Sequence, residues 1–387
     1  MGLIRILAHL AVNSTRVLIV EAPGHWLTRV ELEQQMALRG WRAAWTPANA
    51  DVLAVCGVPG PELAELAERL WEQMPGPRAR VDVASPAVVG SALEDAATLL
   101  LDTPYHRADA GERAQEPRIP EEHGQMDHEG MDHEGMDHGG HEGMNHEAMD
   151  HAGHGGHGGM DMAPAGIALA QGGQDRDGLE MDVLHLPLGP VLPFWPAGLA
   201  LLCSLQGDVV VDAAASVVDG AGHAASSKEP QTPPVPASAV RCDGVMALLA
   251  LAGADDAAAR ARRARDALVR GDQGAARDAV ERLHRTVRRS WLLRWSLRGV
   301  MVLDPSDLAR HDLPEVCRGD AHDRLSSLVE GLRSEVCGAV PAAVESGAVP
   351  WERMPQLVTG LELATVRLAV ASLNLEPFST VQETRHA

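Results

Sequence analysis

Between His123 and Met162 the chain places nine of its eighteen histidines and seven of its fourteen methionines. The stretch MDHEGMDHEGMDHGGHEGM, residues 126–144, repeats a five-residue unit of Met, acid, His, acid and Gly. Imidazole nitrogen suits Cu(II), nickel and zinc, whereas thioether sulfur prefers soft Cu(I). Alternating the two along an adaptable Gly-rich backbone therefore suits copper in either oxidation state. The candidate ligands are His123, Met126, His128, Met131, His133, Met136, His138, His141, Met144, His146, Met149, His151, His154, His157 and Met160. Eleven carboxylates fall between Glu121 and Asp161 with no Lys or Arg among them, which adds a field attractive to cations. Copper is the metal expected, with nickel or zinc as alternatives. The plainer reading is an acidic, solvated connector that acquires metal incidentally.

Outside that tract the chemistry-bearing residues are sparse. Five cysteines (Cys56, Cys203, Cys242, Cys317, Cys337) are scattered without a CxxC pair, the pattern of buried thiols in a reducing compartment. Cys56 follows an apolar run and reads as a small packed hydrophobe. His25 and Trp26 occupy a turn after the first strand, where packing is expected over ligation. The turn GVPGPE, 57–62, precedes a helix start that attracts anions, but no GxGxxG or GK[ST] accompanies it, which disfavours nucleotide binding. Neither HExxH nor a Ser-His-Asp nucleophile elbow occurs. Glu180, Asp182 and His185 are read as facing solvent. Arginines alternate with Trp and Leu in RTVRRSWLLRWSLRG, 285–299, which reads as an amphipathic face packed on a partner, ahead of a membrane-surface or anion site.

The elements that must position these residues follow from composition and period. At 387 residues the chain suits two modest domains and connectors. Its net charge of −21 argues against sequence-independent nucleic-acid binding, which needs a basic surface. No run approaches the roughly 18 apolar residues of a membrane span. The N-terminal stretch, broken by His9 and Asn13 and without a small-residue cleavage site, is not read as a signal peptide, so the expected location is cytoplasmic.

Apolar runs at 16–24, 50–60 and 78–86 read as buried strands, separated by helical patterns at 29–40 and 61–74. Such alternation predicts a parallel sheet covered by helices, with ligands at the carboxyl ends of its strands, near 22–24, 56–60 and 85–90. The expected divisions are an α/β domain over 1–105, a His/Met/Asp/Gly-rich flexible tract over 106–165, and a mainly helical domain over 166–387. The last opens on a β-hairpin turning at Gln206-Gly207-Asp208, carries a loop at 220–238, and has a helix break between Gly271 and Gly274.

The segment ADVLAVCGVPGPELAELAERLWEQMPGPRARVDVAS, 50–85, resembles the cluster-bearing small subunit shared by respiratory complex I and [NiFe] hydrogenases, with DVLAVCG and MPGPR carrying most of the likeness. The resemblance covers about 15–105 and implies the flavodoxin-like half of that subunit type. LGPVLPFWPAGLALLCSLQGDVVVDA, 188–213, resembles the opening hairpin of the partner large subunit, and LVTGLELATVRLAVASLNLEP, 357–377, is similar to its closing helix. The family's [4Fe–4S] cluster needs four thiolates. This chain has EAPGHW (21–26) and ASPAVVG (84–90) where cysteines belong, and Cys56 alone remains in that half. The large-subunit half lacks paired CxxC motifs, and the hairpin histidines that line the family's quinone site align with Leu192 and Pro196. The Met-Asp-His repeat is also similar, as a motif only, to repeats in bacterial copper-resistance oxidases.

The resemblance and its departures imply a non-catalytic or degenerate subunit, or accessory protein, of a complex I- or hydrogenase-like oxidoreductase. No iron–sulfur cluster is expected, and the implied partners are subunits of a membrane-bound assembly, which would hold the chain at the inner face of the membrane. Two alternatives are a copper-, nickel- or zinc-handling protein and an active redox subunit with an unrecognised cofactor.

Overall fold

The computed structural model describes residues 12–113, 171–174, 180–219, 235–338 and 349–375. All fifteen candidate metal ligands from His123 to Met160 lie outside the described residues.

The N-terminal half is a parallel sheet with helices on both faces. Strand β1 is Arg16–Glu21, β2 Arg42–Ala43, β3 Val52–Cys56 and β4 Ala79–Val83. They lie in the order β2-β1-β3-β4, all parallel, with Val17 opposite Val52 and Val52 opposite Ala79. Near-continuous apolar runs are what a sheet covered on both faces requires, and all five residues of β3 are buried. Alternate side chains divide between two cores. Val17, Val52, Ala54 and Cys56 pack with helices α1 (Trp26–Arg39) and α3 (Val89–Leu100). Leu18, Val20, Leu53 and Val55 pack with α2 (Pro61–Gln73). A further helix, α4, spans Thr103–Glu112.

The sequence places the start of α1 at 29, whereas the helix begins at Trp26 because that side chain packs into the other half of the molecule. The MPGPR segment is explained locally. Met74 is buried, Gly76–Pro77 is cis, and the Arg78 guanidinium stacks 4.0 Å from the Trp71 ring. Arg78 also donates to the Trp71 carbonyl and pairs with Asp109 at 2.9 Å, tying the end of α2 to α4.

The second half opens on an antiparallel sheet, β5 (Gln171–Gln174), β6 (Glu180–Leu188), β7 (Leu199–Gln206) and β8 (Val209–Val217), in sequential order. The expected hairpin turn is present, with Gly207 at φ 60°. Leu199, Leu201, Cys203 and Leu205 alternate inward along β7. The chain returns late to this sheet: Gly360 donates to Val210 at 2.7 Å and Leu363 to Asp208 at 2.7 Å.

The helices that follow are α5 (Ala237–Leu251), α6 (Asp255–Val269), α7 (Gln273–Arg289), α8 (Trp291–Leu297), α9 (Pro305–His311), α10 (Ala321–Val336), α11 (Met354–Val358) and α12 (Leu363–Ser372). The break between α6 and α7 falls at Gly271, as its residues predict. In α6, buried Ala257, Ala261 and Ala264 present only methyl groups to their neighbours, a surface on which other helices can lie close. A charged group is sealed among the last helices of this half. Arg324 is 1% exposed and donates to Ser372 Oγ and to the carbonyls of Cys317, Gly319, Val300 and Met301. Burial lowers its pKa to about 10, outweighing the opposing pull of Cys317, Asp320 and Asp323.

Candidate functional site: a charged cavity between the halves

The two halves meet across a cavity of about 350 Å³. One wall is aromatic and aliphatic: Trp41 and Trp45 from around β2 face Leu192, Phe194 and Pro196 from the loop joining β6 to β7. Trp45 and Phe194 meet edge to face, with ring centroids 5.4 Å apart. Gly189 shapes that loop. It has φ 84°, and a Cβ there would sit 2.3 Å from the Leu199 carbonyl oxygen, which accepts from Trp195 Nε1 at 2.7 Å.

The other wall is an ion cluster. Arg29 on α1 donates to Glu21 at 2.5 Å, to Glu33 at 2.7 Å and to Asp243 of α5 at 2.5 Å. Arg265 of α6 is fully buried and reaches Glu33 and Asp243, both at 2.7 Å, and Asp266 at 2.8 Å. Trp26 Nε1 donates to Asp243 at 2.9 Å, and Arg262 stands 4.0 Å from Glu33. Asp243 thus holds three donors from two halves of the molecule.

The charges settle each other. Burial works against ionising Asp243, but Arg29 and Arg265 outweigh it and hold that carboxyl far below its ordinary value. Glu33 follows the same balance, with Arg265 and then Arg29 overcoming burial. At Glu21 and Asp266 burial wins over Arg29 and Arg265 respectively, and both carboxyls are raised. Burial is the main reason these two acids are disfavoured as anions, and four carboxylates against three guanidiniums add to it.

Among the described residues lining this cavity there is no Ser, Thr, Cys, Lys or His, so it holds no prepared nucleophile. The Cys56 thiol lies beneath it, its pKa pushed well above the ordinary thiol range by burial and by Glu21. Burial pushes Cys242 up to about 12 and Cys317 to about 11. The five thiols lie on five separate segments of the chain, and the sequence reading of them all as buried needs one correction: Cys337, just past α10, is exposed. Among the described residues one set of three potential ligand side chains lies within 4.8 Å, Asp320, His322 and Asp323, and it includes no thiol. Its carboxylates are already engaged at the start of α10, where Asp320 accepts from the Asp323 and Gly299 amides.

The remaining sequence candidates resolve into structure. Asp182 and His185 are exposed, with His185 Nδ1 3.0 Å from Ser204 Oγ. The side chain of His25 lies over Gly57, where a Cβ would fall 2.2 Å from the ring. The anion attracted by the GVPGPE turn belongs to the chain itself: Asp219, at the end of β8, accepts from the Glu62 and Leu63 amides at 3.1 Å each. The ion cluster was missed by sequence reasoning. Its one local signal is the i, i+4 spacing of Arg29 and Glu33; Asp243 stands out only as an acid within the apolar sequence of α5.

No family model matches the chain, and no curated protein matches it in sequence.

Proposed function

We propose that the chain is a non-catalytic or degenerate subunit, or accessory protein, of a complex I- or [NiFe]-hydrogenase-like oxidoreductase, and that it carries a His/Met-rich metal-binding tract. The observation that supports this reading most is the joining of two halves across one cavity: the hairpin loop from one side, β1 and α1 from the other, with Leu192 and Pro196 presenting apolar groups where the resembling large subunits present histidines. The strand order β2-β1-β3-β4 is compatible with a flavodoxin-like sheet, whose ligand crevice opens where the order reverses beside its first strand. Here Asp219 stands at one end of that crevice, on the α2 amides, and the Arg29 cluster at the other.

In this role the chain retains the shape of a redox pair without its thiolates, contributing surface to an assembly at the inner face of the membrane. Mild isolation of the tagged chain from its host is expected to bring subunits of such an oxidoreductase with it, and the chain purified away from them is expected to carry no iron. Isolation without such subunits, or stoichiometric iron with acid-labile sulfide in the purified chain, would overturn the reading.

The composition of 123–162 favours a second reading, a protein that buffers or delivers copper, nickel or zinc. Deleting 123–162 separates the two. Loss of metal tolerance with assembly unchanged assigns metal handling to the tract and leaves the subunit role to the folded halves.

A further inference from the structure

Helix α8 inverts the usual burial of its residues. Leu293 and Leu297 face the core, whereas Trp291 is 76% exposed, Trp295 73% and Leu292 56%. Trp291 and Trp295 stand one turn apart and therefore share a face. Beyond the helix, Val302 adds a further apolar side chain that is 61% exposed. Ser290 caps α8, its hydroxyl accepting from the Leu293 amide at 3.2 Å, so the break from α7 is built into the sequence.

The surroundings have one sign. From Arg282 to Leu303 the sequence holds six arginines and no carboxylate, and all six are exposed. Arg288, Arg289, Arg294 and Arg298 have no ion-pair partner among the described residues. Acids close by in sequence or packed against α7 have other partners: Asp278 faces Arg282 at 3.5 Å, Glu281 pairs with Arg333 and Glu330 with His284 at 2.8 Å each, Asp320 accepts from the Gly299 amide, and Asp304 caps α9. An unpaired cationic rim around exposed Trp and Leu is conspicuous on a chain of net charge −21.

We propose that α8 docks on an anionic phospholipid bilayer surface, with Trp291, Leu292 and Trp295 entering the interfacial zone and Arg288, Arg289, Arg294 and Arg298 meeting lipid phosphates. Trp settles at the headgroup level because its ring is apolar and its N–H polar. Guanidinium pairs with phosphate in fork geometry. Protein interfaces also use Trp and Arg, but under a rim of mixed polarity. A rim of one sign matches a uniform layer of phosphates better than it matches a mosaic partner. At physiological salt the Debye length is about 8 Å, so the distant acids of the chain are screened while arginines in contact with the surface act in full. The proposal stands independently of the oxidoreductase reading, since it concerns α8 alone.

Sedimentation of the full chain with vesicles at physiological salt tests it. Vesicles in which a third of the lipid is phosphatidylglycerol are expected to carry the protein down at least about tenfold better than phosphatidylcholine alone, and added salt is expected to weaken binding. The doubly substituted W291S/W295S chain is expected to lose about tenfold or more of that partition. R288Q/R294Q is expected to lose about 30-fold, at about 1 kcal/mol for each arginine. Because all four positions are exposed, thermal melting of these variants is expected to match the parent. Quenching of the unsubstituted chain's Trp fluorescence by brominated lipid gives a readout that needs no variant. Absence of sedimentation, equal partition into both vesicles, or binding indifferent to both variants overturns the proposal. So does a dimer abolished by W291S/W295S in a chain that ignores vesicles, which would make the patch a self-association surface.

Discussion

Asp243 is the residue on which the two halves depend most. Its carboxylate accepts from Arg29, Arg265 and Trp26, so removing its charge leaves two buried guanidiniums short of a partner. Breaking one side of such a buried pair costs about 3–5 kcal/mol. Asp243→Asn is therefore expected to lower the denaturant midpoint sharply without changing the slope. Glu21→Gln is the contrasting case. Glu21 is a carboxylate that burial already disfavours, and an amide oxygen still accepts from Arg29, so the change is expected to stay within about 1 kcal/mol. Equal losses in the two variants would show that the cluster does not work as the geometry indicates. The thiols give a second check at this scale. Cys337 alone is exposed, so a thiol reagent is expected to modify one cysteine in the native chain and the remaining four only on unfolding.

At the scale of elements, the helix start at Pro61 is completed by a residue far away in sequence. Asp219 bonds two amides of the first turn of α2, and a Cβ at Gly60 would fall 2.3 Å from its carboxylate, so Gly60 leaves the space that Asp219 fills. Asp219→Ala is expected to cost about 1 kcal/mol, the usual worth of a helix N-cap, and Asp219→Asn less; a change in the hydrogen-exchange protection of α2 would localise the effect. This contact also shows what was legible in the residues and what was not. Strands β1, β3 and β4 announce themselves because a parallel strand buried on both faces must be an apolar run. The break at Gly271 and the turn at Gly207 are equally local. Strand β2, two residues of Arg and Ala, carries no such signal and exists only by pairing with β1. Neither Asp219 on α2 nor Asp243 on Arg29 is readable, because 157 and 214 residues separate the partners. The same reasoning accounts for α8: its alternating Arg, Trp and Leu fit a buried face, and only the fold shows that Leu293 and Leu297 take the inside while both tryptophans stay out.

For the whole molecule, the cores do not respect the division into halves. Trp26 and Val30 of α1 belong to the core of the helical half, and Val218 at the end of β8 belongs to the core beneath α2. Neither half can unfold without exposing apolar surface of the other, so fluorescence and far-ultraviolet circular dichroism are expected to report one coincident thermal transition. The cluster between the halves contributes to the pH dependence of that transition. Asp243 and Glu33 have folded pKa values below their ordinary 3.8 and 4.5, so their stabilisation is complete above that range and is lost as pH falls through it toward the folded values. Glu21 and Asp266 act with the opposite sign. Their folded values are raised, so the folded state takes up their protons first, and stability gains as pH falls from neutrality toward the ordinary carboxylate range. Together these give a stability maximum on the acid side of neutrality and a steep decline below about pH 4. In Asp243→Asn the acid limb is expected to flatten, because the largest carboxylate contribution to it is gone. A chain whose stability rises monotonically with pH up to neutrality would place the excess negative charge somewhere other than between the halves.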